Sequence, residues 1–216
     1  MRLRGPGRAK WAAAWRQLLR GLRVVPALVC LLLVAGCNFP GRVKPTVKIG
    51  LSAPFEGLYR DLGYEALHAV RMAVRERNAD GGIGERFLVE LVALNDLNEA
   101  EEAAEQARKM AVDPGVLGVL GGFSEETAGV AWDYDQLGLV YLVPSVDTTG
   151  ELISVTVDTD FADRYASESG GAEAGAAAVW AHSAANQLMD AMEAVTRAEG
   201  QPTRSLLREA LEKLDR

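Results

Sequence analysis

The sequence predicts an α/β fold, in which a three-layer parallel sheet is covered by helices on both faces and followed by a helical C-terminal tail. From residue 46 onwards, short apolar segments alternate with amphipathic segments of helical period. The short segments are apolar at nearly every position, which indicates strands that are buried on both faces. After Pro144 this alternation gives way to long helical patterns.

Four apolar segments predict strands, and they lie at residues 47–51, 87–94, 116–120 and 139–143. The first intervening helix carries Leu62, Ala66 and Val70 at spacings of three and four, which places them on one face. It ends in the glycine-containing segment 78–82, since glycine readily adopts the left-handed geometry of a helix end. Two more helices are predicted at 99–110 and 125–136, each with one apolar face.

Right-handed crossovers bring the carboxyl ends of all parallel strands to one edge of the sheet. We therefore expect the strand order 2-1-3-4, with a possible fifth strand at residues 153–157 beside the fourth. The closing helices are expected at 161–167, 173–199 and 203–214. The whole region 46–216 then forms a single α/β lobe, with strand and helix alternation over 46–145 and a returning strand and closing helices over 151–216.

The N-terminal segment has the pattern of a secretory signal. Residues 1–23 contain seven basic and no acidic residues, and an apolar segment follows at 24–35. This apolar segment is shorter than the roughly 20 residues that span a bilayer, and small residues follow it, as at a cleavage site. The sequence predicts a signal peptide at 1–36 and a tether at 37–45; an N-terminal membrane anchor or a buried helix are the alternatives.

The signal ends in Val34-Ala35-Gly36-Cys37, which resembles the lipobox of bacterial lipoproteins. The resemblance implies cleavage before Cys37, acylation of its thiol, and attachment to the cell membrane on the extracytoplasmic side. Cys30 would be removed with the signal. Because a single cysteine remains, an intramolecular disulfide is excluded and the core has to supply the stability.

Charge excludes nucleic acid as a partner. The chain has 23 basic and 30 acidic residues, and the seven basic residues of the signal leave 16 basic against 30 acidic ones after cleavage. Nucleic-acid binding depends on Lys and Arg meeting phosphates. An acidic domain also disfavours electrostatic attachment to anionic lipids, so the expected membrane attachment is covalent.

Segments 49–54, 78–84 and 119–124, together with Pro144-Ser145, resemble the first lobe of type I periplasmic binding proteins of the branched-chain amino acid (Leu/Ile/Val) ABC transporter family. Segments 161–165, 177–188 and 206–211 resemble the closing helices of the same family. The resemblance implies a flavodoxin-like lobe and a solute-binding function with an ABC transporter permease as partner. It also implies that the family's second lobe is missing between these blocks.

The family binds its ligand at the carboxyl ends of the strands, and the resemblance carries this role to six positions. Phe123, Ser124 and Glu125 follow the third strand, Ser145 and Asp147 follow the fourth, and Leu62 lies where an aromatic residue often covers the ligand. Glu125 and Asp147 replace hydroxyl donors. Each would repel a ligand carboxylate by about 4 kcal/mol at about 4 Å and an effective dielectric of 20. Glu125 and Glu126 could instead merely favour a helix N-terminus.

We expect a lipid-anchored extracytoplasmic solute-binding protein of an ABC importer, with an amino acid or a related small polar ligand and without a cofactor or metal. No arrangement of side chains indicates enzymatic chemistry. The alternative is a degenerate or truncated lobe that acts as a structural or sensory interaction module. Without a second lobe, the edge carrying Phe55, Phe123 and Val146 would open to solvent unless the helical tail or a second copy covered it. Self-association is therefore possible.

Overall fold

A computed structural model describes residues 43–145, 152–153 and 155–214 of the chain. The part from Lys44 onwards forms one compact unit around a four-stranded sheet in the order β2-β1-β3-β4. All three strand pairs are parallel, so the predicted order and direction are confirmed. The strands are β1 (Thr46–Ala53), β2 (Leu88–Asn95), β3 (Val116–Leu120) and β4 (Val140–Leu142).

Seven helices are found in the described part of the chain, and they cover both faces of the sheet. They are α1 (Arg60–Ala79), α2 (Ala100–Val112), α3 (Glu125–Ala128), α4 (Ala131–Gln136), α5 (Thr159–Ser169), α6 (Ala176–Glu199) and α7 (Arg204–Leu214). One core lies between the sheet and α1, α5, α6 and α7. A smaller core lies between the opposite face and α2 and α4. The predicted three-layer fold with a helical tail is confirmed.

Small side chains allow the tail to pack closely on the rest of the lobe. Alanines of α1 and α6 are fully buried between these two helices, among them Ala69, Ala73, Ala181 and Ala185. Gly118 in β3 has the same effect, since a Cβ atom there would lie only 2.9 Å from a methyl of Leu188 in α6. The contact of α6 with α1 and β3 is therefore apolar and close-packed.

Polar side chains fix the ends of the same elements. The Asn78 side chain at the end of α1 donates to Val89 O at 2.9 Å and accepts from Val89 N at 2.8 Å, which joins the helix end to β2. At the start of α7, the Arg204 guanidinium donates to the carbonyl oxygens of Val116 (2.8 Å), Asp113 (2.6 Å) and Ala111 (3.2 Å). Backbone acceptors at the amino edge of the sheet are thus satisfied by the tail.

A charged cluster joins α5 and α6 to α1. The Glu76 carboxylate in α1 binds the Arg164 guanidinium of α5 and lies 3.1 Å from His182 Nε2 of α6. The pKa of Glu76 is lowered by these two neighbours, although burial opposes the change. Arg77 of α1 likewise pairs with Asp190 and Glu193 of α6. These pairs lie at the rim of the apolar contact.

Two predictions need correction. The helix expected at 125–136 is broken into α3 and α4, because Gly129 has a low helix propensity and Val130 turns inward to pack in the smaller core. The fifth strand expected at 153–157 is absent from the described residues of that segment. Leu152, which precedes the segment, forms an isolated bridge. Ile153 and Val155 are about half-exposed there, so these two apolar side chains are not buried as those of an inner strand would be.

Candidate functional site

The carboxyl ends of β1 and β2 are joined by a buried polar cluster. Ser52 Oγ donates to Asp96 Oδ2 at 3.0 Å, and Asn98 N donates to Asp96 Oδ1 at 3.0 Å. The loop after β1 is held by Asn95, whose Oδ1 accepts from Phe55 N at 2.9 Å. Asp96 is fully buried, and its pKa is raised because burial disfavours the charged carboxylate.

Two stacked tyrosines lie next to this cluster, since Tyr134 is a neighbour of Ser52 and Asp96. The rings of Tyr134 and Tyr141 lie 4.0 Å apart and nearly parallel, and Tyr141 Oη donates to Thr127 O at 3.2 Å. The Tyr134 hydroxyl is buried without a hydrogen-bond partner among the described residues. Burial raises the pKa of Tyr134 to about 12, so this hydroxyl stays neutral at ordinary pH.

After β3, the predicted ligand residue Ser124 binds Thr127, which was not predicted to contact a ligand. Ser124 is the N-cap of α3, and its Oγ accepts from Thr127 N at 3.3 Å while Ser124 N donates to Thr127 Oγ1 at 3.2 Å. This reciprocal arrangement is a capping box, and it occupies the Ser124 backbone N–H as donor and the Ser124 hydroxyl as acceptor. Glu125 begins the helix and is exposed, a position that acidic residues favour.

Phe123, which precedes this cap, is covered by the tail. Its side chain is only 5% exposed, and the Trp180 ring of α6 packs edge-on against it at a centroid distance of 5.4 Å. The tail thus covers this part of the edge, which is one of the two ways in which the sequence analysis expected it to be closed. Leu62 in the first turn of α1 packs against the main core.

The carboxyl end of β4 opens into an apolar cavity of about 320 Å³. Pro144, Ser145 and Leu152 line one side, and Val179, Trp180 and Ser183 of α6 line the other. None of the described residues that line the cavity is charged. Of the six predicted ligand residues, Ser145 lies at this cavity, and Phe123 contacts its wall through Trp180.

Three predicted residues fall outside the described part of the chain: Asp147, assigned to ligand binding, Val146, assigned to the strand edge, and Cys37, assigned to lipidation. The predicted signal peptide at 1–36 also falls outside it. Trp180 is a residue at the cavity that the sequence analysis did not assign to the site. The helical pattern of 173–199 places it on the apolar face of α6, but only the close packing of α6 on β3 shows that this face reaches the strand ends.

The loop after β1 presents a second apolar surface. Leu58 is 87% exposed, and Tyr59 and Tyr64 are about half-exposed. Phe55 packs against Tyr64 at a ring distance of 5.6 Å. Glu56 and Asp61 stand beside them and are exposed, so this surface combines aromatic and acidic groups.

Within the described ranges, no group of three or more His, Cys, Asp or Glu side chains is placed to hold a metal ion. In the same part of the chain, no helix has both the length and the hydropathy needed to cross a membrane.

The fold resembles solved structures of solute-binding proteins. The isoleucine-bound branched-chain amino acid transporter substrate-binding protein LivJ from Streptococcus pneumoniae aligns with a TM-score of 0.64 at 14% identity, over 78% of this chain and 88% of that one. A substrate-binding periplasmic protein from Ralstonia solanacearum gives a TM-score of 0.63 at 13% identity, over 76% and 88%. At these identities the likeness concerns the fold alone.

Other matches are higher in identity and shorter in extent. A putative branched-chain amino acid ABC transporter protein from Rhodospirillum rubrum is 27% identical, with a TM-score of 0.44, over 55% of this chain and 32% of that one. The chain therefore spans about a third of that protein's length. No curated protein sequence matches the chain.

A family model described as "Periplasmic binding protein" matches residues 46–157, which is more than half of the 216 residues. The matched region begins at β1, includes the strand ends that form the polar cluster and the cavity, and stops just before α5. The chain belongs to the periplasmic binding protein family.

Proposed function

We propose that this chain is the solute-binding protein of an ABC importer, exported from the cytoplasm and anchored to the membrane through a lipid on Cys37. The observation that carries the proposal is the cavity at the carboxyl end of β4, at the strand edge where open parallel sheets bind their ligands. One of its walls, formed by Pro144, Ser145 and Leu152, lies in the region matched by the periplasmic binding protein family. Its volume is at the lower end of the range for small-molecule sites, about 300–1,000 Å³.

The ligand class follows from what this edge offers. The Ser124 backbone N–H, which would hold a carboxylate, already donates to Thr127 Oγ1, and the Ser124 hydroxyl accepts from Thr127 N. In addition, α3 is only four residues long. A ligand carboxylate therefore lacks a prepared site after β3. We expect a small amino acid or related solute whose apolar part occupies the cavity and whose polar groups face the solvent-exposed mouth near Ser145.

Calorimetric titration of the full chain tests this proposal. Isoleucine, valine, threonine and glutamate are suitable probes, since they differ in size, polarity and charge. We expect saturable binding of at least one apolar amino acid. The absence of binding with all four would contradict the proposal.

Lipid anchoring is tested separately, by fractionation of cells that express the full chain or its Cys37→Ser variant. We expect the unaltered chain in the membrane fraction and the variant in the soluble extracytoplasmic fraction. Cys30→Ser is the matched control and should fractionate like the unaltered chain, because Cys30 lies inside the predicted signal. An unchanged distribution of Cys37→Ser would contradict acylation at this residue.

A second candidate function is an interaction module that binds a partner protein and no solute. Two observations favour it: the predicted ligand donors after β3 are satisfied internally, and Leu58, Tyr59 and Tyr64 form an exposed apolar surface with acidic neighbours. Such a surface suits a partner that is apolar and basic. Binding to the cognate permease in the absence of any solute, lost in Leu58→Ser and weakened by salt, would support this candidate.

A further inference from the structure

The cavity beside β4 has two walls that come from distant parts of the sequence. One wall consists of Pro144, Ser145 and Leu152, and the other consists of Val179, Trp180 and Ser183 on one face of α6. Helix α6 is 24 residues long and is held on α1 by buried alanines and charged pairs. The second wall is therefore part of a rigid element.

Trp180 has a fixed position in this wall. Its ring packs edge-on against Phe123, with an angle of 89° between the ring planes, and Phe123 is itself buried in the main core. An aromatic side chain that is held by a buried neighbour loses little further freedom when it contacts a ligand. It also offers a large apolar surface for that contact.

The charged groups of the strand edge that the structure describes lie outside the cavity lining. Glu125 is exposed at the start of α3, and Glu56 and Asp61 are exposed in the loop after β1 and the first turn of α1. None of the three belongs to the cavity lining, where the described polar groups include the hydroxyls of Ser145 and Ser183. The described lining therefore offers mainly apolar surface, which favours an apolar group of the ligand.

We infer that helix α6 of the tail supplies the second wall of the solute site, and that Trp180 contacts the ligand and selects a small molecule with an aliphatic or aromatic group. The inference rests on the proposed function, which it deepens. It assigns a ligand contact to the tail, outside the six positions that the family resemblance supplied.

The test is titration of the full chain and its variants with isoleucine, valine and threonine. Valine and threonine have nearly the same shape, so an apolar wall should bind valine about tenfold more tightly. Trp180→Ala removes the contact and should weaken the affinity for isoleucine at least about tenfold, with a smaller effect on threonine. Thermal unfolding of each variant verifies that it is folded.

Ser183→Trp provides a second variant that leaves the core intact. Ser183 is exposed on the same face of α6 and lines the cavity, so a bulky side chain there should fill the cavity and abolish binding. Gln187→Trp is the matched control, since Gln187 is exposed one turn further along α6 and is outside the cavity lining. It should bind isoleucine like the unaltered chain.

The outcomes separate the inference from the proposed function. Weaker binding in both Trp180→Ala and Ser183→Trp, with Gln187→Trp unchanged, supports the inference. If Trp180→Ala does not fold, Ser183→Trp and its control decide alone. Binding by the unaltered chain that survives Ser183→Trp overturns the inference and leaves the proposed function intact. Failure of the unaltered chain to bind any of the amino acid probes overturns both.

Discussion

The two halves of the strand edge differ in how they use their polar groups. At the ends of β1, β2 and β3, polar side chains bind one another, as with Ser52 and Asp96 or Ser124 and Thr127. At the end of β4, the edge is apolar and encloses a cavity against α6. A polar strand edge is therefore not by itself a binding site, because its polar groups can form hydrogen bonds with the neighbouring loops.

Phe123 lies between the two halves, and its removal should have the largest effect. Because it is buried and packs against Trp180, Phe123→Ala should lower the free energy of unfolding by about 3–5 kcal/mol. Urea denaturation measures this change. The exposed Trp132→Ala is the control and should change stability by less than about 0.5 kcal/mol. Similar values for both variants would show that the tail does not cover this edge.

In the polar half, Asp96→Ala should lower the free energy of unfolding by about 2 kcal/mol. The substitution leaves the buried Ser52 hydroxyl and the Asn98 N–H without their acceptor. Asp61→Ala is the matched control, because the Asp61 side chain is almost fully exposed. A loss that matches the control would contradict a structural role for the cluster.

The Asp96 cluster should also give stability a particular pH dependence. The folded-state pKa of Asp96 is raised above 3.8, so the folded chain holds this proton more tightly than the unfolded chain. Its contribution to stability is therefore present below the unfolded pKa and is lost as pH rises through the folded pKa. We expect Asp96→Asn to gain stability relative to the unaltered chain across this window, as measured by unfolding at several pH values. A relative loss over the same window would have the wrong sign.

Ser124→Ala tests the committed donors after β3. Loss of the N-cap hydroxyl should cost about 1 kcal/mol of stability and leave isoleucine affinity unchanged. Glu125→Gln, at the next position, should alter neither quantity appreciably because its side chain is exposed. Weaker isoleucine binding by Ser124→Ala would instead return this residue to the ligand site.

The smallest effect is expected from Glu76→Gln, which lies away from both halves. Glu76 is about one-third exposed, so its pairs with Arg164 and His182 should contribute only about 0.5–1 kcal/mol. Its pKa is lowered from 4.5 in the folded state, and this contribution should be present above 4.5 and lost as pH falls through the folded pKa. Comparison of unfolding curves for Glu76→Gln and the exposed control Glu126→Gln at neutral and acidic pH measures it. An equal effect in both variants would contradict the role of the cluster.

Much of the fold could be predicted because the local signals agree with one another. The four apolar segments became β1 to β4, and the glycines after Asn78 end α1 where expected, with Gly81 and Gly82 at positive φ. Val130 shows why the helix predicted at 125–136 is in fact two helices, α3 and α4. Its inward turn depends on packing in the smaller core, which a periodic pattern does not contain.

The candidate site was harder to predict than the fold. The sequence places Ser124 at a strand end but does not indicate that its backbone N–H and hydroxyl bind Thr127, three residues later. Phe123 and Trp180 are 57 residues apart in the sequence, and their contact depends on how closely α6 approaches β3 at Gly118. Long-range packing of this kind decides which strand end remains open.

The three hydrogen bonds of Arg204 also bear on the order of folding. They join residues 88 to 93 positions apart, and Arg77 pairs with Glu193 across 116 positions. Contacts of such separation form slowly, because a long loop must close before they form. A ribosome-bound chain that has not yet released α6 and α7 lacks one face of its main core. The main core is therefore complete only after α6 and α7 have been synthesised.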